Sequence, residues 1–355
     1  MQGAALIVGA GIAGLATARS LLAGGWDVEV RERCSALSTA GTLLGIWPTA
    51  WASLEKLGAA TGVAALPLGS GNLLRPDGRV LATLTLPAGS RGVARTDLLE
   101  ALLAGLPEGV VHWAAPVAST ADLPDADVIV AADGVHSAVR EAAFPRARLR
   151  DAGTVAFRGI APIPTSGASE TWGRGLLFGR APFPGGGTNW YAGVRADLAG
   201  TRDDDPLAVL QALYRDWHPG VQEVLDSVTP AMIDRRSIEE ALPVESFVLE
   251  NIALVGDAAH AMAPHLGRGG CESLVDGLTL GEVLTAAPTV AEALAQYDAT
   301  RRRASQKAVR GSRLMSRLSN EQRHPWLRDT LVTGIGHLIS ARQPSPRPAS
   351  IRSTP

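Results

Sequence analysis

The chain has 355 residues, 46% of them apolar, with 33 Lys and Arg against 35 Asp and Glu and a formal net charge of −2. That length can bury one large core or two modest ones, and the charge balance leaves no cationic excess for phosphates, which argues against a nucleic-acid partner. No run approaches the ~18 uninterrupted apolar residues of a membrane span. Ala4 to Ala10 run straight into a glycine turn with no basic segment before them, unlike a signal peptide, so a cytoplasmic location is expected. Cys34 and Cys271 are far apart and lack CxxC spacing, so neither a disulfide framework nor a metal site is expected.

In chain order, Ala4 to Gly9 is a short apolar run. Ile12, Leu15, Arg19 and Leu22 follow at helical spacing, Gly24-Gly25 stops the helix, and Trp26 to Arg31 alternates as a strand. The turn of this βαβ unit carries Gly9, Gly11 and Gly14 in GxGxxG spacing, and Glu32 ends the second strand. Gly9 allows the sharp turn, Gly11 removes a side chain that would bar a pyrophosphate, and Gly14 lets helix and strand pack. Glu32 can accept from ribose hydroxyls. From Thr42 to Leu57 a Gly-rich loop is expected to become a helix, and Leu66 to Leu86 reads as a hairpin around Arg75-Pro76-Asp77-Gly78. A helix beginning at Thr96 or Asp97 carries Leu98, Leu102 and Leu103, followed by strands at Val110 to Val117 and Asp127 to Ala132.

Beyond Asp151 the periodicity changes to antiparallel strands at Thr154 to Ile163, Thr171 to Ala181 and Asn189 to Ala196, with helices at Pro206 to Trp217 and Val221 to Val228. Asn251 to Val255 returns to a fully apolar strand, and Gly270 to Leu284 reads as a helix. A helix from about Thr289 to Leu318, another near Trp326 to Ala341 and a Pro-, Ser- and Arg-rich tail from Gln343, expected to be disordered, complete the chain.

Three segments coincide: the glycine turn with Glu32; Asp133-Gly134-Val135-His136-Ser137-Ala138-Val139-Arg140; and Gly256-Asp257-Ala258-Ala259-His260 followed by Pro264-His265-Leu266-Gly267-Arg268-Gly269-Gly270. Together and in this order they resemble the single-component group A flavoprotein monooxygenases, the family with the p-hydroxybenzoate hydroxylase fold. Gly267 to Cys271, Trp172-Gly173 and Trp190-Tyr191 most resemble its urate hydroxylase, salicylate hydroxylase and zeaxanthin epoxidase branch. The resemblance covers residues 1 to about 310. It implies an α/β fold: a Rossmann-like FAD-binding domain of the GR2 type, an inserted substrate domain of antiparallel β-sheet plus helices, and C-terminal helices. The expected division is 1–65, 91–150 and 251–310 for the FAD-binding domain and 66–90 and 151–250 for the substrate domain. Residues 311–342 would form a C-terminal helical segment and 343–355 a disordered tail.

The same resemblance implies non-covalent FAD, with NADPH or NADH as a transient reductant, because no second GxGxxG unit is present. It assigns cofactor contacts to Gly9, Gly11, Ile12, Ala13, Gly14, Glu32, Arg33, Gly45, Arg95, Val117, Asp133, Asp257, Gly267, Arg268, Gly269, Gly270 and Cys271. Alternatives stay open at single positions: a helix cap for Asp257, a surface ion pair for Arg95, and solvent rather than the flavin ring for Arg268, which stands where the family has glutamine. Only fifteen residues separate Val117 from Asp133, so this edge of the domain reads as trimmed. Reaction through a flavin C4a-hydroperoxide needs a closed, mostly apolar pocket. Trp47, Trp172, Phe178 and Trp190 are candidate substrate walls, with core packing the equal alternative for each aromatic. Arg180, Tyr191, His265 and Pro264 are the catalytic candidates, and His260 and His136 read as structural. The expected activity is hydroxylation or epoxidation of an electron-rich small molecule with O2, by a monomer or simple homodimer. The competing readings are a flavin reductase or halogenase, a nicotinamide-dependent dehydrogenase, and a non-catalytic flavin carrier. Neither Lys56 nor Lys307 sits in an aromatic motif of the kind a halogenase needs.

Overall fold

The computed structural model describes residues 3–39, 41–118, 123–321, 328–330 and 333. Of the helix expected near Trp326 to Ala341, only 328–330 and 333 fall among these, and they are helical; the tail from Gln343 lies outside them.

The first sheet has six strands in the spatial order Val248–Leu249, Ile252–Leu254, Val128–Ala131, Ala4–Val8, Asp27–Arg31 and Val111–His112. All its pairings are parallel except the first. Its central strands are near-continuous Val, Ile, Leu and Ala because helices cover them, and Leu6, Ile7, Val30, Val130 and Leu254 are fully buried. Each such side chain contributes about 1.5–3 kcal/mol by leaving water. Helices Ile12–Ala23 and Gly269–Ala286 lie side by side in this layer. Glycine makes their approach possible: a Cβ at Gly277 would sit 2.6 Å from Ala16 Cβ, and one at Gly281 would collide with Ser20. This contact carries a segment some 250 residues downstream back to the N-terminal turn.

The second sheet has seven strands in the order Asp234–Ala241, Leu149–Ala161, Thr188–Arg195, Leu176–Pro182, Ala168–Trp172, Ser70–Leu74 and Val80–Thr85. It is antiparallel except where Ser70–Leu74 runs parallel to Ala168–Trp172. One face buries Phe157, Phe178, Trp190, Ala192 and Val194 under helices Pro206–Tyr214 and Pro219–Ser227. The opposite face carries Trp172, Leu177 and Tyr191 against Leu73, Leu81, Met315 and Leu318. A small antiparallel sheet of Leu43–Ile46, Arg91–Ala94 and Ala65–Pro67 stands beside these two layers. Helix Val290–Ser319 ties them together, with Tyr297 Oη donating to Leu254 O and Met315 reaching the seven-stranded sheet.

Several elements differ from the sequence reading. The Gly-rich stretch before Pro48 is a strand, Leu43–Ile46, whose Gly45 and Leu44 pair with Gly92 and Val93. Thr171 to Ala181 is two strands, because Gly173–Gly175 turns the chain and Gly175 holds φ at +70°. The Val110 to Val117 strand shrinks to Val111–His112, since Ala114 adopts φ +52°. Strand Leu149–Ala161 starts earlier than expected, and Asp234–Ala241 was not anticipated because its charges hide the alternation.

Candidate active site

Gly9 holds φ +107°, and its amide donates to Arg31 O at 2.8 Å. A Cβ there would strike Ala132 O, and one at Gly14 would strike Gly9 O, so both must be glycine for the turn to close. Gly11 differs: its backbone is ordinary and nothing lies within 4 Å of where its Cβ would be. The helix that begins at Ile12 has no side-chain cap, leaving the amides of Ile12, Ala13 and Gly14 pointed at this open space with the positive end of the helix dipole. Glu32 Oε2 accepts from Ala10 N at 2.8 Å and Oε1 from Cys34 N at 2.9 Å, which locks the turn and leaves each oxygen a lone pair. Arg33 is exposed, and Val117 packs partly on the core.

The second segment meets the first at Gly256, where φ is +58° and a Cβ would sit 2.8 Å from Ala13 Cβ. Asp257 opens the helix Asp257–His260 and is exposed. Gly267 adopts φ +59° and opens into helix Gly269–Ala286, again with no side-chain cap and with no atom near a Cβ at Gly269. Cys271 is buried, its thiol pushed up to about 11 by burial; it donates to Gly45 O and accepts from Trp47 N, pinning strand Leu43–Ile46 to this helix end. Arg268 is held by Glu272 Oε1 at 2.7 Å and lies 5.5 Å over the Trp47 ring.

Behind these turns lies a buried ionic chain. Glu272 Oε2 accepts from Arg301, Arg301 donates to Asp276 Oδ1 at 2.7 Å, and Asp276 Oδ2 meets His260 Nε2 at 2.5 Å and accepts from Gly256 N at 2.9 Å. Burial alone would raise Asp276, but His260 and Arg301 outweigh it and hold its pKa down to about 2. His260 therefore fixes the Gly256 turn through Asp276. His136 lies at the surface, 3.2 Å from Glu239.

Asp133 lies two residues beyond strand Val128–Ala131, its Oδ1 buried without a partner; the nearby Ser137 caps helix Ala138–Ala143 by accepting from Arg140 N. Arg95 opens helix Arg95–Leu103. Burial and then the charge of Arg158 lower its pKa, against a pull from Asp257.

The sheet candidates divide between the two faces. Phe178 and Trp190 stack at 5.7 Å on the face under helices 206–214 and 219–227, and Arg180 donates to Gly220 O there. These three stand away from the glycine turns. Trp172 and Tyr191 occupy the other face, where Asn189 Oδ1 accepts from Leu43 N at 2.9 Å and joins the sheet to the small sheet. Tyr191 donates to Glu170, a residue the sequence reading missed, and Trp172 Nε1 donates to its second oxygen. Pro264, His265 and Leu266 form one turn, held by Ser312 donating to Ala263 O. Both His265 ring nitrogens are inaccessible and unpartnered, and burial drives its pKa down to about 4. An open cleft of about 1010 Å³ runs along Leu68, Leu86, Pro87 and Arg91. It adjoins the site through Leu68, whose Cδ1 would lie 3.9 Å from a Cβ at Gly45. Among the described residues no group of three His, Cys, Asp or Glu could hold a metal ion, and no helix is long and apolar enough to cross a membrane.

Two uncapped helix ends, the open space at Gly11 and Gly269, and the orphaned Asp133 oxygen together fit a dinucleotide whose phosphates meet the first helix and whose ring meets the second. The FAD binding domain family matches residues 201–312. The 3-amino-4-hydroxybenzoate 2-monooxygenase of Streptomyces cremeus is 30% identical over 331 residues, covering 83% of this chain and 82% of that protein. The aurachin C monooxygenase/isomerase of Stigmatella aurantiaca is 28% identical over 355 residues, covering 92% and 93%. The crystal structure of Klebsiella pneumoniae HpxO complexed with FAD and uric acid shares the fold, with a TM-score of 0.83 and 24% identity over 95% of this chain and 97% of that one. Fold and relatives define an FAD-dependent flavoenzyme that incorporates oxygen. The chain belongs to the group A FAD-dependent monooxygenase family.

Proposed function

We propose that this monooxygenase draws electrons from transiently bound NADH or NADPH and hydroxylates or epoxidises an electron-rich aromatic or alkene small molecule. The observation that carries the reading is the convergence of two uncapped helix ends beside the inner face of the seven-stranded sheet. Relatives named for a quinolone and for an aminohydroxybenzoate support an aromatic ring. Residues 1–65, 91–150 and 251–310 are read as the FAD-binding domain, and 66–90 and 151–250 as the substrate domain. The protein is read as cytoplasmic and as a monomer or simple homodimer.

The amides of Ile12, Ala13 and Gly14 would hold the pyrophosphate, and Glu32 and Asp257 would accept from ribose and ribityl hydroxyls. Arg95 and Asp133 would flank the phosphates and ring. The amides of Gly269, Gly270 and Cys271, with a dipole worth about half a charge, would face the isoalloxazine and favour its anionic reduced form. FAD, when bound and reduced, would activate O2 for transfer of one oxygen atom. Around it Trp47, Pro264 and Leu266 exclude water, the neutral His265 adds no charge, and Trp172 and Tyr191 form the roof. The Tyr191 hydroxyl donates to Glu170, which leaves its oxygen an acceptor that would orient a substrate hydroxyl.

The test is oxidation of NADH or NADPH by the FAD-loaded protein with candidate rings under labelled oxygen. The reading expects oxidation stimulated by one ring, matching oxygen uptake and a single labelled oxygen in the product. Stimulated oxidation that leaves no label in any product would make the protein an oxidase or reductase.

A further inference from the structure

The seven-stranded sheet carries one transverse row of residues in register: Asp234, Arg158, Tyr191, Gly179, Glu170 and Leu73. Strand alternation puts this row on the same face as Asn189, whose side chain binds Leu43 N, so the row looks toward the small sheet and the FAD-binding turns. The charges of Arg158 and Asp257 both act on Arg95, which supports the same direction from a second side. On the third side, helix Val290–Ser319 meets the Pro264–Leu266 turn through Gly311 and Ser312. One turn further on, it meets the Tyr191 cluster through Met315.

Gly179 is the gap in the row. A Cβ there would collide with the Tyr191 ring, so glycine lets the phenol lie across its strand and reach Glu170. The second Glu170 oxygen accepts from Trp172 Nε1, which can only donate. Among the described residues neither oxygen takes a second donor. Glu170 is half-buried, and burial raises its carboxyl pKa against the two hydrogen bonds from Tyr191 and Trp172 that lower it. Two arginines of this region are spent elsewhere: Arg158 on Asp234, and Arg328 on Asp329 and Gly173 O above the Trp172 ring. Among the described residues none forms an ion pair with Glu170. A desolvated carboxylate without a cation is costly, and a neutral amide could satisfy the same two donors.

We propose that Glu170 sets the charge selectivity of the substrate chamber, accepting from an N–H or O–H of a neutral or cationic ring and turning away aromatic carboxylates. This rests on the monooxygenase reading and narrows its substrate class. Where Glu170 is ionised, like charge opposes an anionic ring directly, while an N–H donor would complete the vacant acceptor position.

The experiment titrates FAD-loaded protein at pH 8 with 4(1H)-quinolone and with the same ring bearing a 3-carboxylate, reading Kd from the perturbation of flavin absorbance. Wild type is expected to bind the neutral ring at least tenfold more tightly. Glu170→Gln, with its flavin content intact, should bring the two within threefold by strengthening the carboxylate, whereas Glu170→Asp keeps the charge and the preference. A 3-aminomethyl analogue on wild type gives a reading that needs no variant, and it should bind at least as tightly as the neutral ring. A wild type that favours the carboxylate, a Glu170→Gln that leaves the ratio unmoved, or a flavin-loaded protein that answers to none of the rings overturns the proposal. Oxygen uptake measured on the same preparation reports separately on the monooxygenase reading: a protein that discriminates by charge but never takes up oxygen fails that reading alone.

Discussion

Gly11 and Gly14 occupy one motif but answer to different constraints, and replacing each separates cofactor binding from folding. Gly11 has φ −78° and ψ −174°, a conformation open to any residue, and no atom lies within 4 Å of a Cβ there. Gly11→Leu should therefore leave the apo-protein as stable as wild type or up to about 1 kcal/mol more stable, because the unfolded chain loses freedom. Its side chain would fill the space in front of the Ile12 and Ala13 amides. Losing two charge-assisted hydrogen bonds of about 1.5–3 kcal/mol each removes about 3–6 kcal/mol, or two to four orders of magnitude in the Kd for FAD. Gly14→Ala does the reverse, since its methyl meets Gly9 O inside the turn and should cost the fold about 1–3 kcal/mol or more. Fluorescence titration with FAD and thermal melting of the apo-protein read the two effects independently. FAD binding to Gly11→Leu at wild-type affinity, or a melting temperature for it as low as that of Gly14→Ala, would refute the reasoning.

Other predictions follow from the buried groups. Asp276→Asn strips the counter-charge from His260 and Arg301 and should lower unfolding stability by about 3–5 kcal/mol in urea, against no change if the ionic chain contributed nothing. His265, with its folded pKa near 4 against about 6.5 unfolded, is protonated more readily in the unfolded chain. Stability is therefore unaffected by this group above pH 6.5 and falls as the pH drops toward 4, by about 1.5 kcal/mol between pH 6.5 and 5. His265→Asn should remove that share of the slope, and urea midpoints with identical slopes in both proteins would contradict the assignment. Iodoacetamide should label the exposed Cys34 in native protein and spare Cys271, whose buried thiol is held near pKa 11; equal labelling of both would show that helix end to be open.

The parts of the site legible in the sequence are those whose chemistry is local. Gly9, Gly11, Gly14 and Glu32 sit in one βαβ unit, so spacing alone carries their geometry, and Gly267 to Cys271 announces an uncapped helix start in the same way. Sheet direction is not local. Trp190 and Tyr191 are neighbours that point to opposite faces, and only the strand register assigns Phe178, Arg180 and Trp190 to the helix-covered side. Glu170 carried no signal of its own, because its partner Tyr191 is 21 residues away and reaches it across a third strand through the gap at Gly179. The ionic chain from Arg268 to His260 was equally invisible, since it joins three helices through side chains alone.

The most direct test is the stoichiometry of cofactor binding to the purified 355-residue chain, followed by flavin absorbance during titration with FAD. Two segments closing on one dinucleotide predict saturation at a single FAD per chain and a yellow protein after gel filtration. A chain that emerges colourless from saturating FAD, or that takes up two, contradicts the account.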